Sequence, residues 1–235
     1  TWPVAADELR YVWESAIGLS ETFDRETRTQ RLFQPEPHLR ARFDRHHGML
    51  LGGGFFRDGN AGDLIAEPGS IDAFTIELMV TPTGPQPDGE TWVFAAQRDA
   101  QAVLALLEVA GEWRLRTGER EITLGRVTRD RATHLALTFA PERLQVFVNG
   151  QQSVSEPPGA ALDWAGAAFL FGGDADGGRD WSGTLDHFAI YARNLQPAEI
   201  RSNVQLARSA HEARPVPEPV TVRARVTEVS GVPTP

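Results

Sequence analysis

The chain has 235 residues, 41% of them hydrophobic, with no cysteine and a formal net charge of −9 at pH 7. The lack of cysteine excludes thiol catalysis, disulfide bonds and cysteine-ligated metal centres. The negative charge disfavours nucleic acids and anionic membranes, which would repel the chain, and favours a cationic partner. No stretch approaches the roughly 20 apolar residues that a transmembrane helix needs, so no transmembrane segment is expected.

Much of the chain shows the alternating pattern of half-buried strands, separated by turns that contain glycine. Residues 9–17 fit either a helix or a strand from their pattern alone. Residues 20–31 and 151–163 are predicted to be loops. Further predicted strands cover residues 39–43, 49–56, 73–80, 92–96, 103–109, 113–116, 121–124, 134–139, 144–148, 167–171 and 184–191. Short strands at this spacing are typical of an all-β sandwich.

The clearest local signal is a predicted hairpin formed by residues 134–139 and 144–148. Both segments alternate between apolar and polar residues, and residues 141–143 between them carry turn-forming chemistry. The second segment ends at Asn149-Gly150, a dipeptide that strongly favours a tight turn.

One helix is predicted, at residues 197–210. Pro197 suits the first helical position and Glu199 lies in the first turn, where a negative charge is favourable. Ile200, Val204 and Ala207 share one face of that helix.

The last part of the chain changes character after residue 210. Three prolines between residues 215 and 219 indicate an extended linker, and residues 220–229 then alternate as a strand would. A single strand is unstable alone, so this segment must pair with the main sheet, with a partner or with a further domain. We therefore predict a sandwich over residues 1–210 and an extended tail over residues 211–235, which could be the start of another domain.

Three motifs in this order resemble the laminin-G-like branch of the concanavalin A-like lectin/glucanase superfamily. They are FTIELMVTP at 74–82, HLALTF with LQVFVNG at 134–150, and WSGTLDHFAIYARNLQPAEI at 181–200. Met79 and Thr133 stand where tryptophan is usual in that family. The resemblance covers about residues 9–207 and implies an antiparallel, two-sheet jelly-roll β-sandwich. It also implies structural roles for five motif residues, namely His134, Asn149, Gly150, Gly183 and Asp186.

Two loops rich in acidic and amide side chains are candidate calcium sites, because calcium prefers oxygen ligands. The candidate ligands are Asp174, Asp176 and Asp180 in the favoured loop, and Asp58, Asn60 and Asp63 in the other. The alternative is that these residues only form turns. Calcium is the one cofactor that the sequence suggests.

An aromatic rim is predicted beside the favoured loop. Trp164 and Trp181 flank that loop, and Arg179 lies within it, so the three residues are candidates for contact with a ligand or partner. The alternative is that each tryptophan fills the core of the sandwich or its edge.

No catalytic residues are predicted. The nearest carboxylate cluster is Glu21, Asp24 and Glu26, and its spacing places Glu21 and Asp24 on opposite faces of a strand. A glycosidase instead needs two carboxyl groups that face one cleft. We therefore expect a protein that is not an enzyme.

The favoured function is a non-catalytic protein-interaction or structural module, such as an extrinsic subunit of a membrane-associated complex. The alternative is a calcium-assisted, lectin-like carbohydrate-binding module. From the resemblance alone, we expect an extracytoplasmic location, in the periplasm or on the cell surface of a bacterial envelope.

Overall fold

The computed structural model describes residues 8–14, 19–23, 30–33, 35–44, 48–59, 61–62, 73–86, 88–99, 101–157 and 162–212. These residues form two antiparallel sheets and one long helix. The predicted β-sandwich fold is therefore confirmed. Residues 213–235 of the predicted tail lie outside the described residues. None of the described helices is long and apolar enough to cross a membrane.

Sheet A has ten strands. Eight of them follow the spatial order β15 (Gln151–Glu156), β14 (Arg143–Val148), β13 (Thr133–Ala140), β8 (Phe74–Pro82), β17 (Gly183–Tyr191), β1 (Leu9–Glu14), β2 (Leu19–Phe23) and β3 (Gln30–Phe33). The other two are β5 (Arg42–Phe43) and β6 (Met49–Leu51), and β6 also pairs with β17.

Sheet B has seven strands. Their spatial order is β12 (Arg120–Arg126), β11 (Glu112–Thr117), β10 (Gln101–Val109), β9 (Glu90–Arg98), β16 (Ala168–Phe171), β7 (Gly54–Asp58) and β4 (Glu36–Leu39). The predicted strand at residues 49–56 is split between the two sheets, as β6 and β7. Gly52 and Gly53 join them with φ angles of 145° and 87°, a backbone conformation that side chains other than glycine rarely adopt.

The main core lies between the two sheets and is built by alternation along the strands. On β8, Phe74, Ile76, Leu78 and Val80 all face this core, as the sequence pattern predicts. Within the ambiguous segment 9–17, residues Leu9–Glu14 form a strand, β1, which pairs with β17 on one side and with β2 on the other.

Three strands contradict the predicted loops. β2 and β3 overlap the two ends of the polar segment 20–31, and β15 lies within the predicted loop 151–163. β2 pairs with β3, and β15 pairs with β14, so each is part of the ladder of sheet A although its sequence lacks a strong apolar alternation.

Helix α1 (Pro197–Glu212) covers the outer face of sheet A. Ile200 and Ala207 pack on a second apolar cluster that includes Met79 and Phe147. Between helix and sheet lies a buried polar group, the carboxyl of Glu77, which is 0% exposed.

Glu77 Oε2 accepts hydrogen bonds from Asn203 Nδ2 of the helix at 2.6 Å and from the Tyr191 hydroxyl at 3.0 Å. Burial is the largest influence on Glu77 and raises its pKa to about 8. His134 lies beside it, with Nε2 3.7 Å from Glu77 Oε1, and burial lowers the pKa of His134 to about 3.

Candidate functional site

The outer face of sheet B carries a network of charged side chains. Trp113 and Leu115 of β11 face the core, so Glu112, Arg114 and Arg116 point outward. Arg116 forms two hydrogen bonds with Glu90 on β9, one of them at 2.9 Å, and contacts Glu121 on β12 at 2.7 Å. Arg114 contacts Glu121 at 2.7 Å and Glu112 at 3.3 Å. These charged side chains form a polar, partly exposed surface on that face.

At the Glu90 end of this face, Trp92 is held in one orientation. Its indole Nε1 donates to Glu90 Oε1 at 2.6 Å. Partial burial alone would raise the pKa of Glu90, but hydrogen bonds from Arg116 and Trp92 lower it below its ordinary value. The guanidinium of Arg179 lies 4.8 Å from the centre of the Trp92 ring.

The favoured calcium loop, which contains Asp174, Asp176 and Asp180, joins β16 to β17 beside Trp92. The carboxylate of Asp174 accepts the Gly178 N–H at 2.7 Å and the Arg179 Nη1 at 2.8 Å. Asp176 is exposed. Burial, and then the charge of Asp174, raise the pKa of Asp180. Two donors from the same loop, the Gly178 N–H and the Arg179 guanidinium, therefore bind the carboxylate of Asp174.

In the second calcium loop, Asp58 is the candidate ligand that the structure describes. Asp58 is buried, and its Oδ2 accepts a hydrogen bond from the Tyr11 hydroxyl at 3.1 Å. Asn60 and Asp63 lie outside the described residues. In the part of the chain that is described, no group of three or more acidic or histidine side chains is placed to hold a metal ion. Calcium binding therefore stays a prediction.

The predicted aromatic rim needs a correction. Trp181 is 0% exposed and donates its indole N–H to Glu108 Oε2 at 2.9 Å, and Trp164 is 3% exposed and packs edge-on against Phe74. Both rings belong to the main core, so neither offers a face to a ligand. Both tryptophans lie in loop segments, where the sequence has no alternating pattern that would indicate which side chains point into the core. Of the three rim residues, Arg179 is exposed.

The motif residues of the predicted structural set lie around the 149–150 turn and along β17. Asn149 has φ 52° and exchanges hydrogen bonds with the backbone of His134, through its own N–H and its side-chain oxygen. Gly150 has φ 78° and packs against the helix residue Arg201. Gly183 begins β17, and buried Asp186 on that strand lies 3.0 Å from His211 Nδ1.

A cleft of about 250 Å³ lies at the opposite end of β9 from Trp92. It is lined by Arg98, Gln101, Ala102, Val103, Thr117, Gly118, Leu162 and Asp163. These residues come from the end of β9 and the start of β10, from the end of β11 and the turn after it, and from the segment before β16. The sequence contained no signal for this cleft, because three separate segments form it.

An ion pair shapes one side of the cleft. Arg98 Nη1 donates to Asp163 Oδ2 at 2.8 Å and to the carbonyl of Ala165 at 3.0 Å. The Arg98 hydrogen bond, together with the Ala165 N–H, holds the pKa of Asp163 below its usual range. Both partners remain solvent-accessible, so their unused donors and acceptors can reach a ligand.

Glu21 is the member of the carboxylate cluster that falls within the described residues. Glu21 lies on β2, and Asp24 and Glu26 lie outside the described residues. The absence of enzyme activity stays a prediction.

The two packed antiparallel sheets, with a helix over one outer face, define a lectin-like jelly roll. Residues 58–201 match the family model Laminin_G_3 of the concanavalin A-like lectin/glucanases superfamily. The chain belongs to this family, as the motifs indicated. No curated protein matches the chain.

Solved structures share the fold at low sequence identity. Trypanosoma rangeli sialidase, in complex with 2,3-difluoro-KDN, is 20% identical with a TM-score of 0.61, covering 86% of this chain and 33% of the sialidase chain. A second match is a structure of botulinum neurotoxin type C, a toxin described as depending on two ganglioside molecules for cell entry. It is 9% identical, with a TM-score of 0.61, and the match covers 86% of this chain and 51% of the neurotoxin chain.

The binding domain of botulinum neurotoxin serotype D/C is 8% identical with a TM-score of 0.64, covering 86% of this chain and 52% of its own. The chain thus spans between a third and about half of the length of these structures, and at these identities the likeness concerns the fold alone.

Proposed function

We propose that this chain is a non-catalytic carbohydrate-binding module whose glycan site is the cleft at the Arg98 end of sheet B. The observation that carries the proposal is the mixed lining of that cleft. Ala102, Val103 and Leu162 supply an apolar wall, while Gln101 and Thr117 supply an amide and a hydroxyl. A few polar groups that converge on a partly apolar depression are typical of a small-ligand site.

This lining complements a sugar ring. A pyranose has an apolar face of C–H groups and a rim of hydroxyls, each of which can donate and accept a hydrogen bond. The apolar wall suits the face of the ring, and the side chains of Gln101 and Thr117 suit its rim. The Arg98–Asp163 pair, joined by a contact of 2.8 Å, adds charged donors and an acceptor beside this rim.

Membership of the family and the structural neighbours also support the proposal. The neighbours include a sialidase bound to a sugar analogue and a neurotoxin whose cell entry depends on gangliosides. These are properties of those proteins, and they make a glycan the first class of ligand to test.

The carboxylates of the cleft favour binding over hydrolysis. Its described lining includes one carboxylate, Asp163, whose hydrogen bond from Arg98 keeps its pKa low. Glycoside hydrolysis generally uses two facing carboxyl groups, one of them protonated at the start of the reaction. We further propose an extracytoplasmic location, where a module of this kind would meet glycans.

A glycan array, followed by calorimetry on the best ligand, tests this function. We expect Gln101→Ala and Thr117→Val each to weaken binding by about tenfold, because each removes a hydrogen bond from the sugar rim. The matched control is Gln151→Ala, an exposed residue on the edge strand β15, which should leave the affinity unchanged.

The proposed function is wrong if no glycan binds, or if the two cleft variants bind as well as the control variant. The same titration with EDTA tests the predicted calcium dependence. Loss of binding that added calcium restores would support a calcium-assisted site, whereas an unchanged affinity would eliminate calcium and leave the glycan proposal intact.

A further inference from the structure

Trp92 occupies an unusual place for a large aromatic residue in this fold. It lies on the outer face of sheet B, in a small cluster with Ala95, Ala105 and Leu107 that is separate from the main core. The hydrogen bond from its indole Nε1 to Glu90 fixes the plane of its ring. Trp92 is nevertheless only 3% exposed.

Arg179 contributes to this shielding. Its guanidinium lies over the ring, while 47% of its own side chain is exposed. Two carboxylates hold the guanidinium there, since Arg179 Nη1 is 2.8 Å from Asp174 Oδ2 and Nε is 3.4 Å from Glu90 Oε1. A side chain that is itself 47% exposed therefore covers this face of the ring.

An aromatic face flanked by two carboxylates is a receptor for a cationic group. The ring attracts a cation through its quadrupole, and the carboxylates accept hydrogen bonds from a guanidinium or an ammonium. We propose that Trp92, Glu90 and Asp174 form a docking site for an arginine or lysine side chain of a basic protein partner, and that Arg179 occupies this site in the free chain. The site lies at the opposite end of β9 from the cleft, and it is independent of the proposed glycan binding.

Arg179 can leave without disturbing the rest of the site. The backbone of its loop is held to β9, because the backbone N–H of Trp92 donates to the backbone carbonyl of Arg179 at 2.9 Å. Asp174 keeps its own hydrogen bond from the Gly178 N–H, and Glu90 keeps those from Arg116 and Trp92. Only the side chain of Arg179 has to rotate, so the receptor groups remain in position for an incoming cation.

The overall charge of the chain favours this exchange. The side chain of Asp174 is only 7% exposed, so its carboxylate needs a cationic partner, and the incoming cation has to replace Arg179 rather than leave the site empty. A partner cation makes the same contacts as Arg179 does, and further contacts outside the site would decide the competition. The net charge of −9 steers cationic partners towards the chain, and Asp176 and Asp180 of the same loop add to the negative charge.

The test uses a small monovalent probe, N-acetyl-arginine N-methylamide, with the whole chain. Binding is followed by NMR through the indole N–H signal of Trp92, identified as the signal that Trp92→Phe removes. We expect Arg179→Ala to bind the probe roughly tenfold more tightly than the unaltered chain, because the competing guanidinium is gone. Adding Asp174→Asn to that variant should reverse most of the gain.

Arg143→Ala is the matched control, because it removes an equal charge from an exposed position on β14 of sheet A. The proposal is overturned if Arg179→Ala binds the probe no more tightly than Arg143→Ala, or if the Trp92 signal does not move. Should Arg179→Ala unfold, as judged by circular dichroism, Arg179→Gln serves instead and must show the same gain. Glycan binding is measured in parallel, so failure of either proposal is distinguished from failure of the other.

Discussion

Glu77 and Glu90 show how differently the two sheets use their outer faces. Each glutamate points outward from a strand, Glu77 from sheet A and Glu90 from sheet B. Helix α1 buries Glu77 with two neutral donors, Asn203 and Tyr191, and its pKa rises to about 8. Glu90 remains partly exposed beside Arg116, and its pKa falls.

The difference shows that a covering helix changes what a sheet face can do. The covered face is a second core, in which apolar side chains pack around a buried carboxyl that is kept largely neutral. The open face keeps ionised groups in contact with solvent, where they can meet a ligand or partner. We therefore expect substitutions beneath the helix, on the outer face of sheet A, mainly to change the free energy of unfolding. Substitutions on the outer face of sheet B should mainly change the binding of a ligand or partner.

The largest effect is expected for Phe147→Ala beneath the helix. Phe147 is buried in the cluster between sheet A and α1, so the substitution should lower the free energy of unfolding by about 3–5 kcal/mol. Urea denaturation measures this change. The control Thr123→Ala, at an exposed position on β12 of sheet B, should stay within about 0.5 kcal/mol of the unaltered chain. Equal losses in the two variants would contradict the comparison.

A smaller effect, with a characteristic pH dependence, is expected for Glu77→Gln. The pKa of Glu77 rises from 4.5 to about 8 on folding, so the folded chain holds an extra proton between these values. The free energy of unfolding should therefore fall as the pH rises through this window, and level off above it.

Glutamine mimics the protonated carboxyl, so Glu77→Gln should remove this slope. At pH 9 the variant should be about 2–4 kcal/mol more stable than the unaltered chain, and the gain should largely disappear at pH 5. Urea denaturation at both pH values measures the difference. A gain of the same size at pH 5 would show that protonation is not its cause.

The smallest effect, of opposite sign, is expected for Glu90→Gln. The pKa of Glu90 is lowered on folding, so the ionised carboxylate contributes stability above its unfolded value, and this contribution is lost as the pH falls. At pH 7 the variant should lose about 0.5–1 kcal/mol, a small amount because the Arg116 ion pair is partly exposed. At pH 3 the loss should diminish. A gain in stability at pH 7 would contradict the contrast with Glu77.

Local sequence patterns predicted the strands and the helix whose buried residues recur at a regular spacing. The alternation of residues 74–80 and the Asn149-Gly150 turn correspond to β8 and to the turn after β14. The helix begins at Pro197 as predicted and ends at Glu212, two residues beyond the expected end. In each case the physical cause lies within a few neighbouring residues, so it can be read locally.

Elements that depend on distant partners were missed. β15 is a polar edge strand, recognisable only through its pairing with β14. Trp181 lies in a loop segment, and its direction is decided by Glu108, which is 73 residues earlier in the chain and accepts its indole N–H. The contact between Trp92 and Arg179 became evident only from the folded loop, because the two residues are far apart along the chain.

The sequence by itself determined the family, the sandwich and most of its strands, because alternation and turn chemistry act over short distances. Only the tertiary structure decided which outer face is covered, which tryptophans point inward, and where the cleft and the Trp92–Arg179 contact lie. These features bring together side chains that are distant along the chain, such as Arg98 with Asp163, and no local pattern encodes such a pairing.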